Sequence, residues 1–327
     1  DNIKQKFNEI VMSEGIDGWR RNRRAAEMNS EAAAEIASEK VELSSSLSSA
    51  ASAAVEELVA SLNQRRLYRE VRLALRSGLR DARAEFSFLR VRGLRCLLKF
   101  LRSVADSPST IQLFCLTQSL PDLEVVPVLF QHSLKETEEG RVGNVDHIFS
   151  VEPMKLTNPS TDTEVALALR VLEGCCLIHR QSTISAHQHR AIPVLLNVLS
   201  TRGVVEQGAC LDALIALMLD STVNQMDFET CNGIEEVAAI IRDKQVEESL
   251  RMKCAEFLLL LIGHVDGRDM QPMASVHDDI RRLLGEKSAS LIWAASQFGS
   301  TLDPEERMTA LHIQARRVLE SLDLFGV

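Results

Sequence analysis

Apolar positions recur at helical spacing along most of the chain. In DNIKQKFNEIVM (residues 1–12), Ile3, Phe7, Ile10 and Val11 share one helical face. Val55, Leu58, Val59 and Leu62 mark one later helix, and Leu67, Val71, Leu73, Leu75 and Leu79 the next. A long helix follows on Phe86, Phe88, Leu89, Val91, Leu94, Leu97, Leu98 and Leu101. The same reading predicts helices near 121–133, 163–179, 187–200, 204–220, 233–242, 246–264, 276–285, 288–298 and 304–324. Lys135–Asp162 breaks the series: it holds Gly140, Gly143, Pro153 and Pro159, alternates in charge, and reads as a long loop.

The apolar pattern also repeats. Ala191–Leu199 (AIPVLLNVL) aligns with Gly233–Ile241 (GIEEVAAII) at an offset of 42, pairing Ile192 with Ile234, Leu195 with Val237, Val198 with Ile240 and Leu199 with Ile241. The same offset lays Ala213–Leu217 on Ala255–Leu259 and Arg170–Cys175 on Asp212–Leu217. Val126–Phe130 resembles Ile192–Leu196 at an offset of 66, the extra 24 residues matching the long loop. Repeats of this length built from short helices predict an all-α, armadillo/HEAT-like α-solenoid of about four irregular repeats. The competing reading is an ordinary helical bundle.

Composition agrees with long helices. The 327 residues include 15 Gly and 8 Pro, about 7% against a norm near 12%, and only 4% are aromatic. Turn-dense all-β folds need more of both. At the amino end, Trp19–Arg24 is a short basic cluster, and from Ser30 to Ala54, 16 of 25 residues are Ala or Ser. Glu31–Leu43 can be helical and Ser44–Ser49 reads as a flexible connection. The expected organisation is an arm over 1–54 and a helical domain over 55–327. The longest clean apolar run, Phe257–Ile262, is far below the roughly 20 residues of a membrane span. No secretory signal is read at the amino end, so an intracellular protein is expected, cytoplasmic, with cytoskeletal, spindle or nuclear association left open.

Charge changes the picture. The net charge of −9 hides a segment, residues 65–102, with 12 basic and 3 acidic side chains. Within it Arg92, Arg95, Lys99 and Arg102 recur at spacings of 3, 4 and 3 and form one stripe beside the Leu94, Leu97, Leu98 and Leu101 face. Arg65, Arg66, Arg69, Arg72, Arg76 and Arg80 precede it. One reading is a solvated face paired with acids of the carboxy-terminal repeats; the other is an electrostatic docking surface for an acidic partner protein. Nucleic acid is not expected, because no aromatics are interleaved and the only Tyr, Tyr68, lies outside the stripe.

Little in the sequence points to catalysis. There is no phosphate-binding glycine loop, HExxH or GxSxG motif. The seven cysteines show no CxxC spacing, so no metal site is expected, and most lie in apolar runs as small hydrophobes. Cys175 and Cys176 near His179 could form a thiol–imidazole pair, but no acidic group stands at a spacing that would orient the ring. His187 and His189 point to different faces of a helix and cannot share an undistorted metal. Asp278-Asp279 and Glu305-Glu306 suit helix first turns. The expectation is a non-enzyme with no cofactor.

The order of segments carries a resemblance. Glu70–Arg80 (EVRLALRSGLR), Leu94–Leu101 (LRCLLKFL), Leu167–Gly174 (LALRVLEG) and Ser185–Leu199 come first. Ala213–Asp220 (ALIALMLD), Phe228–Val237 (FETCNGIEEV) and Leu250–Leu258 (LRMKCAEFL) follow, the last being the most specific. Over about residues 55–265 this order resembles the septation-initiation-network "cell division control protein fourteen" family, unrelated to the phosphatase of that name. The resemblance implies a non-catalytic protein associated with a germinal-centre-type serine/threonine kinase in cell-division and cytokinesis signalling, with no catalytic residues to carry over. The alternatives are an adaptor for cytoskeletal or other protein cargo, and an enzyme with an unrecognised site around Cys175, His179 and His187. A cargo row of repeated Trp and Asn would favour the adaptor, but Trp occurs only at 19 and 293.

Overall fold

A computed structural model describes residues 47–135, 159–219, 221–265, 276–298 and 304–323. The expected helix over 1–12, the Trp19–Arg24 cluster, Glu31–Leu43 and most of the 135–162 loop lie outside the described residues. Those that are described form an all-α structure, with no strand among them.

The first helix, α1 (Leu47–Ala82), is 36 residues long and unites the two helices expected at 55–62 and 67–79. No Gly or Pro separates those two patterns, so nothing stops the helix between them. It also runs across position 54, where the domain was expected to begin. Along it, Val55, Leu58, Val59 and Leu62 are about half exposed, whereas Val71, Leu75 and Leu79 are buried.

Helix α2 (Ser87–Ala105) returns antiparallel to α1. The two backbones meet at Gly78 and Gly93: a Cβ on Gly93 would lie 2.6 Å from the Gly78 carbonyl oxygen. This close approach lets Leu94, Leu97 and Leu101 pack to near-zero exposure.

Next comes α3 (Pro108–Gln118), unannounced by periodicity but opened by Ser107 with Pro108 at its first position. The expected 121–133 helix is a 3-10 turn (Pro121–Leu123), a single turn α4 (Val126–Val128) and a π-helical continuation (Leu129–Ser133).

After the loop come α5 (Asp162–Ile178), α6 (Arg180–Gln188), α7 (Ala191–Thr201), α8 (Val204–Met218), α9 (Thr222–Thr230), α10 (Gly233–Arg242) and α11 (Glu248–Val265). The described chain closes on α12 (Val276–Leu284), α13 (Glu286–Phe298) and α14 (Pro304–Asp323). The helix expected at 187–200 is divided between α6 and α7. The break falls at Arg190, whose φ of 55° is incompatible with a continuous helix, and Asn232 adopts the same conformation before α10.

One row of helices runs through the molecule: α2 packs on α5, α5 on α8, α8 on α11 and α11 on α14. The core follows it, with Leu169, Leu172, Cys175, Leu214, Leu217 and Leu258 at zero exposure. The 42-residue offset reappears as bonding. Arg170 pairs with Asp212 at 2.8 Å, Asp212 with Lys253 at 2.7 Å, His187 with Asp227 at 2.6 Å and Arg202 with Asp162 at 2.9 Å. Asn224 donates to the Thr183 carbonyl at 3.1 Å. Each bond joins residues 40 to 42 positions apart, so each helix group leans on the next in sequence.

Candidate partner-docking surface

Helix α2 turns Leu94, Leu97, Leu98 and Leu101 inward, which places the basic stripe on its outer side. The four predicted residues are not equivalent there. Arg95 and Lys99 are exposed and have no ion-pair partner among the described residues. Arg92 is exposed but donates from Nε to Asp81 Oδ2 at 2.8 Å, and that hydrogen bond holds the Asp81 carboxyl below its usual range. Arg102 is half-buried; burial, helped by nearby Arg170, lowers its pKa.

Helix α1 widens the surface. Arg69 and Arg76 are exposed, with Leu73 66% exposed between them. The Arg72 guanidinium lies 5.5 Å from the centre of the Tyr68 ring, so the lone Tyr borders the basic surface after all. Two acids of the hairpin are engaged locally: Asp81 with Arg80 and Arg92, and Glu70 with Arg66. Arg92 pairs within the hairpin, and Arg95 and Lys99 show no ion pair with acids of the carboxy-terminal repeats among the described residues. The result is a cationic face with an apolar point at Leu73, able to hold an acidic segment by charge and by contact.

Sequence reasoning missed what holds this hairpin in place. Arg90 is 3% exposed and Glu164 0%; Nε meets Oε1 at 2.6 Å and Nη2 meets Oε2 at 3.1 Å, a two-point salt bridge from α2 to α5. Ser87 Oγ donates to Glu164 Oε2 at 2.7 Å, and Arg90 Nη1 donates to the Glu85 carbonyl at 2.6 Å. The readable signal was Thr161-Asp-Thr-Glu164, a capping box in which the Thr161 hydroxyl accepts from the Glu164 amide at 3.4 Å. Its Glu is recruited by Arg90 instead.

A second buried acid went unread. Glu173, 6% exposed, accepts from Arg170 at 3.2 Å. Burial, with the neighbouring Asp212 charge, pushes its carboxyl up to about 7 against the pull of Arg170 and Lys253.

The candidate chemistry falls to separate places. Cys175 and Cys176 are buried, and burial pushes both thiols well above their usual range. His179 Nδ1 lies 3.0 Å from Ser182 Oγ, and its ring meets Phe114 edge-on. A cavity of about 130 Å³ reaches His179 but neither Cys175 nor His187. His187 pairs with Asp227, while His189 stacks on Phe130 at 5.8 Å. Among the described residues no cluster of His, Cys, Asp and Glu could hold a metal, and no helix is long and apolar enough to cross a membrane.

Comparison with known proteins returned one family and no individual relative: no curated protein and no solved structure matches the chain. The matching family model is described as "Cell division control protein 14, SIN component" and covers residues 147–296. That segment runs from before α5 to within α13 and contains Glu164, Glu173 and the bonded ladder from Arg170 to Lys253. Over residues 147–296 the chain is similar to the cell division control protein 14 family.

Proposed function

We propose that this chain is a non-catalytic scaffold or regulatory subunit in cell-division signalling, and that it docks a germinal-centre-type serine/threonine kinase. The family match over 147–296 supports the cell-division role. The observation that carries docking is the pair Arg95 and Lys99, exposed and without ionic partners among the described residues, on a hairpin clamped by Arg90 and Glu164. Charges left unneutralised on a rigid support attract an acidic segment and add to its rate of encounter. The helix row α2–α5–α8–α11–α14, with its bonds at 40 to 42 residues, supports reading the architecture as an armadillo-like solenoid that presents this hairpin at one end. A cytoplasmic site of action with cytoskeletal or spindle association goes with this role.

The test is affinity purification of the full chain from dividing cells, followed by mass spectrometry, beside the variant Arg95→Glu/Lys99→Glu. Both side chains are exposed, so the variant is expected to fold as the parent does. A germinal-centre-type kinase should be recovered with the parent and depleted about tenfold or more with the variant, consistent with loss of close charge pairs. Absence of any such kinase, or equal recovery by both proteins, overturns the proposal.

A further inference from the structure

Away from the basic hairpin, the last helices line an open cavity of about 460 Å³, within the size range of small-ligand sites. Five cations line it: Arg242, Lys244, Arg251, Arg282 and Lys287, against the single carboxylate of Glu286. They converge from the end of α10, the turn after it, the start of α11, the end of α12 and the first turn of α13. Their local sequence neighbours give no hint of this, because the 65–102 segment dominates the chain's basic character.

The cations are unequally engaged. Arg282 is shared between Glu235 at 2.9 Å and Asp279 at 3.2 Å. Arg251 is 8% exposed and donates from Nε to the Ile241 carbonyl at 2.8 Å, which seats a buried guanidinium in the wall. Glu286, the one lining acid, is held by Arg281 at 2.8 Å. Arg242 and Lys244 are exposed and have no ion pair among the described residues.

Gly285 completes the wall. Its φ of 85° ends α12 and opens α13 in one residue: its amide donates to the Arg281 carbonyl at 3.0 Å, and its carbonyl accepts from Ala289 at 3.1 Å. The first amides of α13 therefore begin at the cavity, and their partial positive charge adds to that of Arg242 and Lys244. Leu283, Leu284 and Leu322 supply an apolar floor beside the charges.

We infer that this cavity binds a phosphoryl dianion, either free inorganic phosphate or the head of a phosphorylated serine. A compact oxyanion with several acceptor oxygens suits guanidinium and ammonium donors arriving from different elements. The floor leaves room for the carbon atoms of a phosphorylated side chain. The site is independent of the hairpin surface and of the docking role proposed for it.

The test is thermal unfolding of the full chain, at matched ionic strength, with inorganic phosphate, with O-phosphoserine and with serine. Arg242→Glu/Lys244→Glu changes two exposed positions, and Arg95→Glu/Lys99→Glu serves as the control for general charge. Phosphate or O-phosphoserine should raise Tm of the parent and of the hairpin variant by about 2 °C or more, with no rise for Arg242→Glu/Lys244→Glu and none with serine. A rise with O-phosphoserine assigns the site to a phosphorylated side chain, and a rise with phosphate alone assigns it to the free ion. No rise with either, or a rise that Arg242→Glu/Lys244→Glu retains, overturns the inference. Should that variant itself unfold at room temperature, Lys244→Gln takes its place with the same criteria.

Discussion

A single buried carboxylate decides how the basic hairpin is held. Glu164 receives two bonds from Arg90 and one from Ser87 at zero exposure, so removing its charge strands a guanidinium. Glu164→Gln is expected to lose about 3 kcal/mol in urea unfolding, whereas Arg90→Met/Glu164→Leu should lose much less than the two single changes combined. An equal loss for the double variant would show that the pair contributes more than mutual neutralisation. At Gly93 a methyl group would press on the Gly78 carbonyl oxygen and on backbone at Asp81 and Ala82, with no flexible side chain to yield. Gly93→Ala should cost about 1–3 kcal/mol by the same measurement, although alanine is the better helix former.

At the scale of elements, periodicity located most helices because each has one buried stripe; α10, with Ile234, Val237, Ala238 and Ile241 inward, is the clearest case. It failed where the stripe was short or its phase misled. In α9 only Asn224, Gln225 and Phe228 are buried, two of them polar, so no apolar rhythm announced it. Val55, Leu58, Val59 and Leu62 have the rhythm but remain exposed, since nothing among the described residues packs on them. In the basic stripe, spacing put four cations on one side, but only tertiary neighbours separate Arg92 on Asp81 and half-buried Arg102 from the open Arg95 and Lys99. The phosphoryl cavity was illegible for the same reason: its cations are brought together by five separate helix ends and turns.

The junction of α5, α8 and α11 also predicts a pH response. The Glu173 carboxyl sits at about 7 in the folded chain and near 4.5 unfolded, so the unfolded chain releases its proton first. Its share of stability is complete below about pH 4.5 and falls as pH rises from there through about 7, by on the order of 3 kcal/mol. Between pH 5 and 8 the unfolding free energy of Glu173→Gln should slope downward less than that of the parent. Identical slopes would mean that Arg170 and Lys253 already hold the carboxylate ionised.

For the whole molecule, the pattern of bonds 40 to 42 residues apart means that each group of helices meets mainly its predecessor and successor. Damage should then remain local: Gly93→Ala and Leu258→Ala, at distant steps of the row, are expected to add to within about 0.5 kcal/mol. A shortfall from the sum would reveal coupling along the row. The offset was visible in the sequence as an apolar alignment. That its polar members also bond to one another was not, because Arg170, Asp212 and Lys253 differ in kind and only their distances relate them.

That difference in kind bears on how the chain avoids assembling wrongly. Helices that resemble each other at a fixed period could stack out of order, with α5 skipping α8 to land on α11. Cation, anion and cation follow one another at 170, 212 and 253, the third one residue short of the 42-residue register but bonded to the second all the same. A skipped step would press Arg170 against Lys253 with Asp212 left out, and like charges in a poorly solvated seam repel. The alternation thus checks succession, rejecting the second neighbour and accepting the first.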